Sequence, residues 1–223
     1  GRRVMTEKVL KANWKRYIPE DIAEKYEVYD FRHAAAILFN EFRQQFDEII
    51  HVLRQFYISK EDIIARGGNE SSIPKKFSEI LRPLGWEEKQ LHAKLIVDNT
   101  EISHDTHWVD YIKGRIAFDL EWNSKDQTYD RDLYAFKSFF DYNKISLAIL
   151  VTRSVDLDPY FESLGTYVDE TGKTRKYKDK YGASTTQMGK LIPRIESGRN
   201  GGCPILVFGI TRKVITGKPN EHI

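Results

Sequence analysis

Residues 115–122, in the middle of the chain, have a large apolar side chain at every second position. The apolar positions are Ile116, Phe118, Leu120 and Trp122. Two of the positions between them are acidic, Asp119 and Glu121. Because successive side chains of a β-strand point to opposite faces, this period of two predicts a strand with carboxylates on one face.

A second strand is predicted at residues 108–112, and residues 113–114, Lys-Gly, suit a tight turn between the two. A turn at these two residues places Asp110 nearly opposite Ala117 and diagonal to Asp119. Diagonal neighbours on one sheet face lie roughly 7–8 Å apart. The predicted β-hairpin therefore brings three carboxylates together.

The second half of the chain predicts an α/β fold. Residues 146–152 and 204–210 are unbroken apolar runs, which are typical of strands buried on both faces. Residues 130–143, which precede the first of these runs, have the period of a helix. A strand, a helix and a second buried strand form a crossover unit, so we expect a mixed β-sheet flanked by helices.

Helices are also predicted before the hairpin. An apolar stripe runs through residues 31–57, at Phe42, Phe46, Ile49, Leu53 and Phe56, and indicates one long amphipathic helix. The stripe suits either core packing or a contact between subunits. A second helix is predicted from a serine cap at Ser71 and Ser72 to residues 83–85. We expect one domain over 1–223, with residues 1–60 mostly helical and residues 70–210 as the core.

Charge and cysteine content narrow the function classes. The formal net charge is only +2, from 35 basic and 33 acidic residues, so the distribution of charge matters more than its sum. The densest basic run, residues 172–180, suits either a solvated loop or an arm that closes on phosphates. The single Cys203 excludes an internal disulfide and a cysteine zinc cluster. His92, His104 and His107 lack the spacing of metal ligands, which disfavours an HNH-type nuclease.

No uncharged apolar run reaches the roughly 20 residues that a membrane-spanning helix needs. No signal peptide is visible either. We therefore expect a protein of the cytoplasm without a membrane partner.

The three carboxylates indicate a metal site. Acids that face one another on a sheet repel, unless a cation or solvent screens them. Hard oxygen ligands favour magnesium, or manganese as a substitute, over zinc. Such a cation could polarise a phosphodiester and activate a water. The alternative from the spacing alone is a solvent-exposed hairpin face with ordinary acids.

The segment 109–122 resembles the active-site hairpin of type II restriction endonucleases of the BglII/BstYI/BamHI-like group, in the PD-(D/E)xK nuclease superfamily. The resemblance covers roughly residues 70–210 and implies a restriction-endonuclease-like core. It also implies that Asp110, Asp119 and Glu121 are the catalytic, metal-binding acids. Glu121 falls where most of the superfamily has lysine, so it could be the general base or a metal ligand. Lys113 is the nearest lysine of this chain.

The resemblance implies that residues 123–128 and 183–187 reach base edges in the major groove. Arg194 and Arg199 suit phosphate contacts better than base contacts. The residues expected to bind DNA are Ser124, Lys125, Lys173, Arg175, Lys176, Ser184, Thr185, Thr186, Arg194 and Arg199.

The resemblance further implies a magnesium-dependent type II deoxyribonuclease of a prokaryotic cell. Such an enzyme cuts a palindromic double-stranded DNA site as a homodimer and leaves 5′ overhangs. Two alternatives stay open at this point: a repair or recombination nuclease that recognises DNA structure, and a DNA-binding protein without catalysis.

Overall fold

A computed structural model of the chain describes residues 13–65 and 72–216. Ser71, half of the predicted serine cap, lies outside the described residues, as do residues 1–12 of the predicted N-terminal part. No helix in the described ranges is long and apolar enough to cross a membrane.

The helices are α1 Glu20–Lys25, α2 Ala34–Glu41, α3 Arg43–Gln55, α4 Lys60–Ile64, α5 Ser72–Leu81, α6 Thr128–Asp141, α7 Asp158–Ser163 and α8 Met188–Glu196. The strands are β1 Tyr26–Phe31, β2 Glu87–Val97, β3 Thr100–Lys113, β4 Ile116–Glu121, β5 Leu147–Arg153, β6 Thr166–Val168, β7 Thr174–Lys176 and β8 Ile205–Ile210. Short 3-10 turns lie at Asn13–Arg16, Arg82–Leu84, Val155–Leu157, Tyr177–Tyr181 and Arg212–Val214.

Six strands form one mixed sheet in the order β1-β8-β5-β4-β3-β2. Strands β4, β5 and β8 are parallel to one another in its centre. β1 pairs antiparallel with β8 at one edge, and β3 and β2 continue antiparallel from β4 to the other. The predicted mixed α/β sheet and its parallel crossover are confirmed.

Helices cover both faces of the sheet because the central strands are apolar on both sides. On one face, Phe118 of β4 stacks with Phe77 of α5 at 5.8 Å between ring centroids. On the other face, Ala117 of β4 packs in a core with residues of α6 and α8. The alternation predicted for β4 therefore sends Asp119 and Glu121 towards α6.

The long helix predicted over residues 31–57 is wrong in its extent. Tyr26–Phe31 forms β1, and the helical region is divided into α2 and α3 at Phe42, which has an extended φ of −133°. The apolar period repeats along the sequence whatever the direction of the helix axis. Two helices that meet at a bend can therefore show one continuous apolar stripe. The N-terminal part also supplies an edge strand to the sheet, which was not predicted.

The apolar stripe of this region faces the core of the same chain. Phe46, Ile49, Leu53 and Phe56 are all buried, with at most 4% of their surface exposed. Phe42 packs against the same cluster and is partly buried. The stripe is therefore core packing, and the alternative of a subunit seam along it is wrong.

The hairpin turn lies one residue later than predicted. β3 and β4 pair Lys113 with Ile116 and Ile112 with Ala117, so the two turn residues are Gly114 and Arg115. Gly114 has a φ of +57°, which the first position of a primed hairpin turn requires. A turn that lies one residue later moves every cross-strand partner by two residues. The expected pairing of Asp110 with Ala117 is therefore wrong.

Candidate active site

The acids of the hairpin lie where β3 and β4 separate. The regular pairing ends at Tyr111 with Phe118, and one step further it would place Asp110 opposite Asp119. Here side chains replace the ladder: the Asp110 N–H donates to Asp119 Oδ1 at 2.7 Å, and the Leu120 N–H donates to Asp110 Oδ2 at 3.3 Å. The two carboxyl groups are therefore held together at this fork.

Burial separates this cluster from an ordinary acidic surface. Asp119 and Glu121 are only 2% and 8% exposed, whereas Asp110 is open to solvent. The Glu121 carboxylate accepts a hydrogen bond from Ser124 Oγ at 2.9 Å. The alternative of a solvent-exposed hairpin face is wrong, because a solvated face does not bury two carboxyl groups.

A fourth acid, Asp132 of α6, belongs to the cluster and was not predicted. It is 5% exposed, lies within hydrogen-bonding reach of Glu121, and its Oδ2 has no hydrogen-bond partner among the described residues. The sequence does contain a signal for it. Asp132 follows Tyr129 by three residues and precedes Phe136 by four, so it lies on the buried face of the helix. The helix dipole also favours acids near the start of a helix. Because this general explanation covers Asp132 as well, the sequence alone does not single it out as a residue of the cluster.

The acids raise one another's affinity for protons. Partial burial of the Asp110 carboxyl and the nearby Glu121 carboxylate raise the pKa of Asp110 to about 6. Burial and the charge of Asp110 raise the pKa of Asp119 well above its usual value. Burial and the charge of Asp119 do the same to the pKa of Asp132. Without a cation, full ionisation of the cluster is therefore unfavourable.

The cluster fits a hard divalent cation. Its donors are all carboxylate oxygens, and the buried Asp132 Oδ2 is an acceptor without a donor among the described residues. Within the described ranges, no three His, Cys, Asp or Glu side chains are arranged to hold a metal ion as they stand. Magnesium usually takes only one or two protein carboxylates, with water and phosphate oxygens completing its shell. Two of these acids are therefore enough to supply the protein ligands of a magnesium ion.

Lys113 faces away from the acids. Its Nζ donates to both oxygens of Glu48, at 2.6 and 2.8 Å, and to the Leu84 carbonyl at 2.6 Å. Trp86 Nε1 donates to the same Glu48 carboxylate at 3.2 Å. Lys113 therefore joins the hairpin to α3 and to the start of β2, and we assign it a structural role.

We expect Lys113→Met to lower the free energy of unfolding by roughly 2–4 kcal/mol, because it leaves the nearly buried Glu48 carboxylate without its cation. The rate of DNA cleavage that the resemblance of the hairpin implies should stay the same per folded molecule. Chemical denaturation and steady-state cleavage measure the two quantities, with the exposed Lys89→Met as control. A large loss of rate at unchanged stability would instead give Lys113 a part in catalysis.

The two segments expected to read bases lie side by side, next to Glu121. Lys125 forms a β-bridge with Thr185, and the Thr186 N–H donates to the Ser124 carbonyl at 2.8 Å. The side chains of Lys125 and Ser184 are exposed. The Thr186 hydroxyl is buried and accepts from the Ser124 N–H, so it holds this pair together in the present conformation. DNA contacts of these residues stay a prediction.

The expected phosphate-binding cations differ in their availability. Lys173 and Lys176 are exposed, whereas Arg175 is paired with Asp169. The basic run forms part of the β6–β7 hairpin and the turn after it, and is an ordered structure. Arg194 and Arg199 both bind Asp130, so a phosphate has to compete with that carboxylate.

The six-stranded mixed sheet flanked by helices is a restriction-endonuclease-like fold, with the acids at the fork of its hairpin. The family model described as "Restriction endonuclease BglII/BglIII" matches residues 26–210, from the first residue of β1 to the last residue of β8. The chain belongs to this family, so it is a nuclease whose substrate is DNA. No curated protein matched the chain significantly.

Proposed function

We propose that the protein is a magnesium-dependent type II restriction endonuclease that hydrolyses phosphodiester bonds at a palindromic site in double-stranded DNA. The observation that carries this proposal is the convergence of Asp110, Asp119 and Glu121 where the hairpin strands separate. Family membership makes DNA the substrate. The buried charge of the acids explains why a cation would be needed before a phosphate can approach.

The residues that would hold the cation are Asp110, Asp119 and Glu121, with Asp132 behind them. When bound, magnesium supplies a Lewis acid for the scissile phosphate and lowers the pKa of water. Manganese is a substitute with the same preference for oxygen ligands. The carboxylates would balance the charge of the cation and fix its position, and the strand amides that bind Asp110 and Asp119 fix the directions of those two groups.

The neighbouring segments favour cleavage at a defined sequence. Ser124 binds the Glu121 carboxylate and lies within the predicted base-reading segment 123–128. Residues 183–187 pair with that segment, so both can approach the same stretch of duplex. A base contact in segment 123–128 would thus lie only a few residues after Glu121, and one in segment 183–187 would lie in the chain that pairs with that segment.

We further propose a homodimer in the cytoplasm of a prokaryotic cell. One active site of this kind cuts one strand, and a palindromic site has two-fold symmetry that a two-fold protein matches. The staggered cuts are expected to leave 5′ overhangs, as implied by the resemblance of the hairpin to the BglII/BstYI/BamHI-like group.

Incubation of the protein with phage DNA tests this function. We expect discrete fragments in magnesium or manganese, and no cleavage in calcium or EDTA, since the reaction needs a cation that activates water. Sequencing of the fragment ends gives the site, its symmetry and the overhang. Nicks at junctions or mismatches without discrete fragments would indicate a structure-specific nuclease, and binding without cleavage would indicate a non-catalytic protein; either result contradicts the proposal.

A further inference from the structure

Arg153, at the end of β5, connects the active-site strand to a predicted base-reading segment. Its Nη1 donates to the Trp122 carbonyl at 3.3 Å and to Asn123 Oδ1 at 3.2 Å. Its Nη2 donates to Thr185 Oγ1 at 2.7 Å. A single guanidinium therefore spans the residues that follow Glu121 and the middle of residues 183–187.

This arginine is buried, and its only nearby carboxylate, that of Asp158, is not hydrogen-bonded to it in the described ranges. Its exposed fraction is 0%, and none of the hydrogen-bond acceptors found for it in the described ranges is a carboxylate. Its Nε has no hydrogen-bond partner there. The rings of Phe161 and Tyr181 lie 5.3 Å from the guanidinium carbon, and burial lowers the pKa of Arg153.

Burial of such a charged side chain lowers the stability of a folded protein. A buried charge is usually paired with an opposite charge, and a well-packed apolar side chain is often at least as stable in its place. Stability alone is therefore a poor reason for an arginine here. The geometry of its hydrogen bonds gives a better reason, because a planar guanidinium can bind two separate segments in fixed directions.

The contacts of Arg153 lead directly to the catalytic acids. Trp122, whose carbonyl it binds, is the residue after Glu121. Thr152, the residue before Arg153, donates through its hydroxyl to the Glu121 carbonyl at 2.8 Å. The end of β5 therefore holds the backbone on both sides of the Glu121–Trp122 peptide bond.

We propose that Arg153 is a positioning residue that couples residues 183–187 to Glu121, so that the correct DNA site is cut faster than sites that differ by one base pair. The inference rests on the proposed function, because it needs an enzyme that cleaves a defined sequence. Arg153 does not touch DNA in this proposal. It passes a displacement of Thr185 to the backbone of the catalytic strand.

Two substitutions break the connection from opposite ends. Arg153→Lys keeps the charge, but the single ammonium nitrogen of lysine cannot bind both segments as the planar guanidinium does. Thr185→Val removes the acceptor at the other end with almost no change of volume. Arg115→Lys is the matched control: Arg115 binds Ser146 and Asn143 at the opposite end of β4 and β5, so it loses similar bonds away from the acids.

The measurement is the ratio of cleavage rates for a duplex with the site from the phage digest and for the same duplex with one base pair changed. We expect Arg153→Lys and Thr185→Val each to lower this ratio at least about tenfold, and the double variant to lower it no further, because both break the same Arg153–Thr185 hydrogen bond. The loss should fall on kcat. Binding of the two duplexes in calcium should change little in Arg153→Lys, and Arg115→Lys should keep the ratio.

Three results would overturn the inference alone while the wild type still gives discrete fragments. These are an unchanged ratio in both single variants, an equal loss in Arg115→Lys, and multiplied losses in the double variant, which would make Thr185 an independent DNA contact. If Arg153→Lys fails to fold, Thr185→Val and Arg115→Lys still decide between the outcomes. Wild-type protein that gives no discrete fragments overturns the proposed function, and this inference with it.

Discussion

Asp119→Asn is expected to reduce DNA cleavage by at least about a thousandfold, because a Lewis acid supplies several kcal/mol and each 1.36 kcal/mol is a factor of ten in rate. The substitution keeps the size of the side chain. Its oxygen can still accept the hydrogen bond from the Asp110 N–H, so the fork of the hairpin should persist. Only the negative charge offered to the cation is lost.

Cleavage in magnesium and fluorescence anisotropy of site-containing DNA in calcium measure the two effects separately. Site-specific binding should be retained or become tighter, since one negative charge near the DNA phosphates is removed. Asp105→Asn, an exposed acid of the same hairpin, is the control and should cut like the wild type. A variant that keeps its rate, or that unfolds, would show that Asp119 does not serve the reaction.

The protein in EDTA is expected to become less stable as the pH rises from about 4 towards 8. The pKa values of Asp110, Asp119 and Asp132 are all raised in the folded state, that of Asp110 from 3.8 to about 6. The folded protein therefore binds these protons more tightly than the unfolded chain does. Well below the unfolded-state pKa of 3.8 both states are protonated, so these acids do not lower the stability there. As the pH rises, the unfolded chain ionises first, and stability is lost through the folded-state pKa values.

Thermal unfolding at several pH values, in EDTA and in magnesium, tests this expectation. Asp132→Asn should raise the stability at pH 8 in EDTA and flatten the pH dependence, because it removes an acid whose pKa is raised in the folded state by burial and by the charge of Asp119. Magnesium at pH 8 should stabilise the wild type because a ligand stabilises the state that binds it. An unchanged slope in Asp132→Asn would contradict the raised affinity of this cluster for protons.

Much of the sheet could be predicted because its signals are local. A strand with one polar face shows a period of two, as in residues 115–122, and a strand buried on both faces shows an unbroken apolar run. The same alternation is enough to assign Asp119 and Glu121 to one face of β4. Strand β1 was missed because its last residue, Phe31, falls at the start of the amphipathic stripe that follows it.

The amino-acid sequence by itself determined the mixed α/β sheet, the hairpin and the identity of its acids, because period and charge are properties of consecutive residues. Only the tertiary structure decided which groups meet across elements. Asp132 reaches Glu121 because α6 crosses the face of β4. Arg153 reaches Thr185 because β5 ends beside residues 183–187. Asp110 lies beside Asp119 because the hairpin turns at Gly114, since a shift of one turn residue moves every cross-strand partner by two residues.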